Sequence, residues 1–284
     1  MWLLLLRQDA KFTRIGVRWL AHRNRTAKKP IVAAGGPVVS LTTYGKRIRT
    51  VHLTLESIAN GSILPSRMIL WLDNMEAFQN PPRALRRLEE RGLEIKLAPN
   101  YGPHKKYYPF LESTEVFEVP LVTADDDVLY PRSWLSGLVG GFDRNCEVIN
   151  CYRAHQMKIS NRTIAPYRNW GPCQSVKPSY LNFAVGSSGC IYPPAFLRAL
   201  KVAGKGFEQQ CPTADDVWLH VNAIRAHFMI RQIRKRALDL PTSPDTQSVG
   251  LAVSNVGLGQ NDIQINNTYG RADIDVLASS LDLQ

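Results

Sequence analysis

The chain has 284 residues, 44% of them hydrophobic, with a formal net charge of +11 and 5 cysteines. That length and composition can bury a real core, as one large domain or two intimate halves. The charge is uneven: eight basic residues against Asp9 alone give residues 1–30 a charge of +7 and leave +4 for the rest, so the body is a poor match to a nucleic-acid binder. The cysteines are scattered, odd in number and lack CxxC spacing, which fits a reducing compartment and neither a zinc site nor a disulfide framework.

Residues 1–30 form a basic leader. Trp2–Leu6 is far short of the ~20 apolar residues that span a bilayer and lacks the order of a signal peptide. Phe12, Ile15, Val17, Trp19 and Leu20 alternate with Lys11, Arg14, Arg18 and Arg23, the pattern of a basic amphipathic helix. Such a helix suits peripheral contact with an anionic membrane, or packs on the domain with its charges solvated.

From residue 31 to 284 the chain reads as one catalytic-sized domain, with a first half over 31–131 and a second over 132–284. Val38–Thr43 is a buried strand, and Thr50–Ile58 has a helical pattern. Arg67–Asp73 is a second strand with an acid at its end. Pro82–Arg91 is a charged helix with proline near its start, where a missing N–H does no harm. Leu93–Leu97 and Val119–Thr123 are further strands. Strands alternating with helices predict an α/β architecture with a mostly parallel open sheet flanked by helices. Ligands of such sheets bind beyond the carboxyl ends of the strands, where Thr43, Tyr44, Asp73 and Asp125–Asp127 all fall. In the second half, Val148–Arg153 and Met229–Arg236 read as strands, Phe183–Pro194 as a strand pair or turn, and Ala195–Val202 and Ala214–Phe228 as helices. The tail after Asp239 is polar, with glycines marking loops.

Four motifs carry chemistry. Asp125-Asp126-Asp127 follows an apolar strand directly, so three adjacent negative charges need an offset, from solvent or from a hard divalent cation. In an extended segment Asp125 and Asp127 share a face and Asp126 points away, to a ribose or a nearby cation. Asp215-Asp216 opens a predicted helix, with Thr213 as N-cap and Asp216 at the capping-box position. The pair serves the helix dipole or supplies a general base, either acid taking the proton while the other orients it. Lys105-Lys106 sits in an aromatic turn and suits a diphosphate. Gly186-Ser187-Ser188-Gly189 lets a ligand approach the backbone, or is a tight bend. No P-loop, GxGxxG, GxSxG or HExxH pattern occurs.

Val39–Ile48, His104–Tyr107, Asp125–Asp127, Gly189–Pro194, Ala214–Trp218 and Gln260–Gln264, taken in order, resemble bacterial GT-A-fold glycosyltransferases of the family-2 type over roughly residues 37 to 270. The resemblance implies a nucleotide-diphospho-sugar transferase fold. It implies a nucleotide-sugar donor held by Thr43, Tyr44, Arg47, Asp73, Lys105, Lys106, Asp125 and Asp126. Asp125 and Asp127 would be the Asp-x-Asp ligands of Mn2+ or Mg2+. Asp216 and Asp215 would be the catalytic acids facing a saccharide or lipid-linked acceptor, with Trp170, Gly189 and Trp218 on the acceptor side. No histidine follows His227, so Asn261 or Asp262 would replace the late metal or diphosphate contact of relatives. The implied setting is polysaccharide synthesis in the cytoplasm or on the inner face of the cell membrane. The residues alone also accommodate a nucleotidyl- or phosphotransferase, or a non-enzymatic polyanion binder.

Overall fold

The central strands are largely apolar because both faces of the sheet they build are covered, as is usual for a largely parallel sheet. The structure, a computed structural model, describes residues 10–142, 148–243 and 259–281. Helix α1 (Ala10–Thr26) precedes β1 (Val38–Thr42), α2 (Val51–Ala59), β2 (Arg67–Leu72), α3 (Met75–Gln79), α4 (Arg83–Glu89), β3 (Leu93–Leu97), α5 (Tyr108–Ser113), β4 (Leu121–Thr123) and α6 (Trp134–Gly141). Then come β5 (Ile149–Cys151), β6 (Ala154–Gln156), β7 (Ile159–Ser160), β8 (Thr163–Ile164), β9 (Gly171–Pro172), β10 (Asn182–Ala184), β11 (Cys190–Tyr192) and α7 (Pro194–Ala203). The chain continues through α8 (Phe207–Gln210), α9 (Asp215–Arg225), β12 (Ile230–Gln232), α10 (Gln260–Thr268) and α11 (Arg271–Ser279).

Seven strands make the main sheet in the order β12-β5-β11-β4-β1-β2-β3, with only β11 antiparallel to its neighbours. Side chains alternate between its faces. Val38, Ile69, Trp71, Leu121 and Cys190 enter one core with α5, α7 and α9. Val39, Leu41, Met68, Leu70, Val122 and Ile191 enter the other with α2, α4 and α6. Strands from before and after residue 131 therefore share one sheet and both cores. A small sheet, β10-β6-β9, lies beyond it.

Helix α1 is docked rather than detached. Leu20 and Asn24 are buried, and the fully buried Glu56 of α2 pairs with Arg23 at 3.2 Å and with Arg91, while accepting from Asn24 Nδ2 at 3.2 Å. Two other expectations change. The helix predicted to reach Phe228 stops at Arg225, and His227 takes a positive φ of 61° at its end. The tail predicted as loop contains α10 and α11. Helix α10 is polar apart from Ile263 and Ile265 and has little amphipathic signal; docking orders it, with Ile265 buried and Gln264 accepting from the backbone N–H of Thr213 at 2.9 Å.

Removing one partner of a buried ion pair leaves the other charge uncompensated. Glu56→Ala is expected to cost on the order of 3–5 kcal/mol in denaturant unfolding, because Arg91, 5% exposed, loses its carboxylate. A loss below about 1 kcal/mol would contradict this role for Glu56.

Candidate active site

The site forms where β1, β2 and β4 end side by side. After β1 the chain passes Thr43 and Tyr44 into a single 3-10 turn, Gly45–Arg49, which carries Arg47. After β2 comes Asp73, and after β4 come Asp125–Asp127. A second 3-10 turn, Gly102–Lys106, delivers Lys105 and Lys106 from beyond β3. Helix α9 and the turn Gly186–Ser188 close the arrangement.

The acidic triplet is not an extended ladder. Asp126 and Asp127 lie in a turn, so the period-two alternation fails there. Asp126, 4% exposed, accepts from Thr43 Oγ1 at 2.6 Å and from Arg47 Nη1 at 2.9 Å. Asp127 meets the other arm of the same guanidinium at 3.2 Å. Asp125 turns the other way, to Lys106 Nζ at 2.8 Å, while its backbone N–H donates to the hydroxyl of Tyr130 at 2.9 Å. Asp126 is thus the anchor of the triplet. Its backbone carbonyl also accepts from Thr54 at 2.9 Å, a contact across 72 positions that no local sequence signal announces.

Lys106 joins the two acidic motifs. Its ammonium lies 2.8 Å from Asp125 and 3.1 Å from Asp215 Oδ2. Burial would lower its pKa, but Asp125, Asp215 and Asp216 outweigh that and hold it charged, well above the usual lysine range. Lys105 pairs with Asp73. Both lysines are buried and engaged with carboxylates, so they are not presented as free charges for a diphosphate. His104 fixes their turn: it bonds the hydroxyl of Tyr107 at 2.8 Å and the carbonyl of Cys211 at 2.9 Å, and stacks on Phe207 at 4.1 Å. Burial brings its pKa down to about 4, so the ring is neutral at pH 7.

At the head of α9 the expected capping box is absent. Thr213 turns to Gln264 instead, and Ala214 occupies the N-cap position. Asp216 Oδ1 and Oδ2 accept from the Gly186 N–H at 3.1 and 3.3 Å. Burial first, and then the charge of Asp215, push its carboxyl well above the usual range, with Lys106 offsetting part of the rise. Gly186 was legible only as part of a small-residue run; a Cβ there would stand 3.0 Å from Asp216 Oδ1 and 3.5 Å from Lys106 Nζ.

The remaining residues sort by placement. Tyr44 is 37% exposed, with Arg47 5.4 Å over its ring, and so faces the opening. Trp218 is 3% exposed among Phe207 and Gly206, and Trp170 is buried on Phe183 with its N–H donated to Ala165. Neither presents its ring to an acceptor, which corrects the expectation for both. Gly189 acts through packing: its φ is 98°, and a Cβ would fall 2.6 Å from Trp134 Nε1, whose N–H donates to Ser188. Asp262 accepts from the backbone N–H of Tyr167 at 2.7 Å, so it fastens that turn, with Asn261 beside it at the start of α10. Tyr167 itself lies within the field of Asp216 and had no sequence signal.

Taken together, Asp73, Asp125, Asp126, Asp127, Asp215 and Asp216 set six carboxyl groups against three cations, Arg47, Lys105 and Lys106. The excess shows in Asp127, where burial and the neighbouring Asp125 and Asp126 outweigh Arg47 and push the carboxyl up to about 6. Among the described residues no three carboxylate, thiol or imidazole groups form a ready-made metal cage. Mg2+ and Mn2+, however, are commonly held by one or two carboxylates plus phosphate oxygens and water. An oxygen-only donor set with surplus negative charge fits such a hard cation.

No protein-family model matches the chain, and no curated protein matches it in sequence. Among solved structures it is similar to S. aureus TarS 1–349, also solved with UDP, at 14% identity and a TM-score of 0.49 over 87% of this chain and 70% of that one. It is similar to the mannosyltransferase PcManGT from Pyrobaculum calidifontis, solved with GDP-Man and Mn2+, at 13% identity and a TM-score of 0.47 over 99% and 86% of the two chains. A CMP:2-keto-3-deoxy-manno-octonic acid synthetase complexed with CTP is similar at 13% identity and a TM-score of 0.44, over 80% and 99%. Likeness of this degree assigns neither family nor function by itself.

Gly189→Ala combines a strained φ with a clash against a hydrogen-bonded indole. It is expected to cost on the order of 1–3 kcal/mol of stability by thermal or urea unfolding. An unchanged midpoint would show that the turn relaxes freely.

Proposed function

We propose that the chain is a metal-dependent glycosyltransferase that moves a sugar from a nucleotide-sugar donor to a saccharide or lipid-linked acceptor. The observation that carries this reading is the division of the acids by Lys106. Asp125 and Asp127 lie with the triplet at the sheet edge, while Asp216 stands on a different element with a raised pKa and an N–H aimed at it. A carboxyl group poised above its ordinary range is suited to general-base work near neutral pH. The residues at the strand ends resemble those of GT-A glycosyltransferases and supply the donor side.

In this mechanism Tyr44, Asp73 and the Arg47 corner receive the nucleoside part of the donor. Asp125 and Asp127 would hold the divalent ion, which when bound neutralises charge on the diphosphate leaving group. Lys106 keeps Asp215 anchored, and Gly186 orients Asp216. Asp216 takes the proton of the acceptor hydroxyl as that oxygen bonds to the anomeric carbon and the bond to the diphosphate oxygen breaks. The anomeric centre passes through oxocarbenium character, and a single displacement of this kind inverts configuration.

The membrane face belongs to the same proposal. Arg14, Arg18 and Arg25 form an exposed stripe on α1, opposite its docked side, which would place the protein peripherally on an anionic inner membrane face. No helix among the described residues is long and apolar enough to cross a membrane.

A thermal-shift screen of nucleoside diphosphates and nucleotide sugars, with and without Mn2+, is expected to show metal-dependent stabilisation that Asp127→Asn removes. No stabilisation by any of them, or phosphoryl or nucleotidyl products in a coupled assay, would sink the reading. Asp216→Asn is expected to lower transfer by about 10²–10⁴-fold while leaving nucleotide affinity within a few-fold. Because the base must be unprotonated and its pKa is raised, kcat should fall on acidification with a midpoint above the usual carboxylate range. A pH profile flat down to about 4 would remove Asp216 from that role.

A further inference from the structure

The chain after β12 crosses the carboxyl edge of the sheet as a strap. Ile233 N–H donates to the carbonyl of Cys151, the last residue of β5, at 3.0 Å, and Leu238 N–H to that of Tyr152, just beyond it, at 3.3 Å. Leu238 in turn accepts from Ser188 at 2.9 Å, next to the turn that orients Asp216. Farther along, Leu129 N–H donates to Pro241 at 2.9 Å, and Ser243 N–H donates to the carbonyl of Asp127. The strap therefore runs from the end of β12, past the Gly186–Gly189 turn, to the acidic triplet.

Its first part is Arg234-Lys235-Arg236, three consecutive exposed cations with no ion pair to a described residue. Arg153, between β5 and β6, stands beside the strap and meets Asp239 at 3.7 Å, an acid whose side chain is itself 64% exposed. The field of Arg153 reaches the same side chain as that of Asp216. Tyr167 is half-buried, and burial is the main cause that raises its hydroxyl pKa; the charge of Asp216 adds to the rise and that of Arg153 opposes it. The same edge of the sheet thus carries an excess of carboxylates over β1, β2 and β4 and a run of cations over β5 and β12.

A neutral acceptor gains nothing from such a rim. An anionic one approaching Asp215, Asp216 and the triplet would be repelled, and the cations would offset that repulsion and steer it in. We propose that the acceptor is a saccharide bearing phosphate or carboxylate groups, held along the strap by Arg153, Arg234, Lys235 and Arg236. This rests on the glycosyltransferase reading and extends it to the acceptor.

The test measures binding of the full chain to fluorescent dextran oligosaccharides in neutral, phosphorylated and carboxymethylated forms. A charged form is expected to bind at least about 10-fold more tightly than the neutral one, with an affinity that falls as salt rises. Which of the two charged forms gains more tells phosphate from carboxylate. Arg234→Gln/Lys235→Gln/Arg236→Gln, all at exposed positions, is expected to remove most of that preference, and Arg153→Gln part of it. Arg14→Gln/Arg18→Gln/Arg25→Gln on α1 is expected to leave it intact. Equal binding of charged and neutral forms overturns the proposal, as does a preference that the α1 variant loses and the strap variant keeps. It is also overturned if phosphatidylglycerol vesicles bind through the strap, with loss in the strap variant, and no charged dextran does; the strap is then a membrane face. Nucleotide-sugar binding to the strap variant is measured in parallel. Absence of donor binding by the wild type counts against glycosyl transfer, whereas absence of the charge preference alone counts against the anionic acceptor.

Discussion

The ammonium of Lys106, buried between Asp125 and Asp215, is the contact on which the rest of the site depends. A charge taken out of water is costly unless other charges and hydrogen bonds surround it closely. Here the compensation comes from two segments far apart in the chain, one at the end of β4 and one at the head of α9. Holding them together sets how far apart the triplet and the Asp215–Asp216 pair can lie. The His104 turn, stacked on Phe207 and bonded to Cys211, fixes the lysine, so the ion pair is tied to the packing of the core that α5, α7 and α9 share.

Buried ion pairs are weak evidence for stability, since apolar replacements often do as well. Their value here lies in what they leave unbalanced. Arg47 neutralises Asp126 and Asp127 in part, and Lys106 serves Asp125 and Asp215, which leaves Asp216 raised in pKa by burial first and then by the like charge of Asp215. The surplus of carboxylates makes the corner receptive to a hard cation, and the strap of cations on the neighbouring strand ends gives the opening two electrically different halves.

Much of this arrangement was legible before the fold was known. The apolar runs of β1, β2 and β4 and the helix signals between the strands point to a mostly parallel α/β sheet, because burial on both faces demands such runs. Thr43, Asp73 and the triplet were placed at strand ends by the same pattern, and they meet there. The readings that changed were those that needed a partner. Trp218 and Trp170 looked like ligand-facing aromatics and are core residues, since composition cannot show which side of an aromatic is already covered. Helix α10 had too little periodicity to be seen and exists through its contact with Thr213.

The sequence by itself determined the strand ends, the acidic triplet, the paired lysines and the Asp-Asp helix start, because local hydrophobic period and residue chemistry are written along the chain. Only the tertiary structure decided which charge meets which. Asp126 turns to Arg47 and Thr43, Asp125 turns to Lys106, and Asp216, like Asp127, is left with a raised pKa. Such pairings arise between residues tens of positions apart, and a carboxylate's pKa depends on the burial and charges within a few ångströms of it, which only the folded chain brings together.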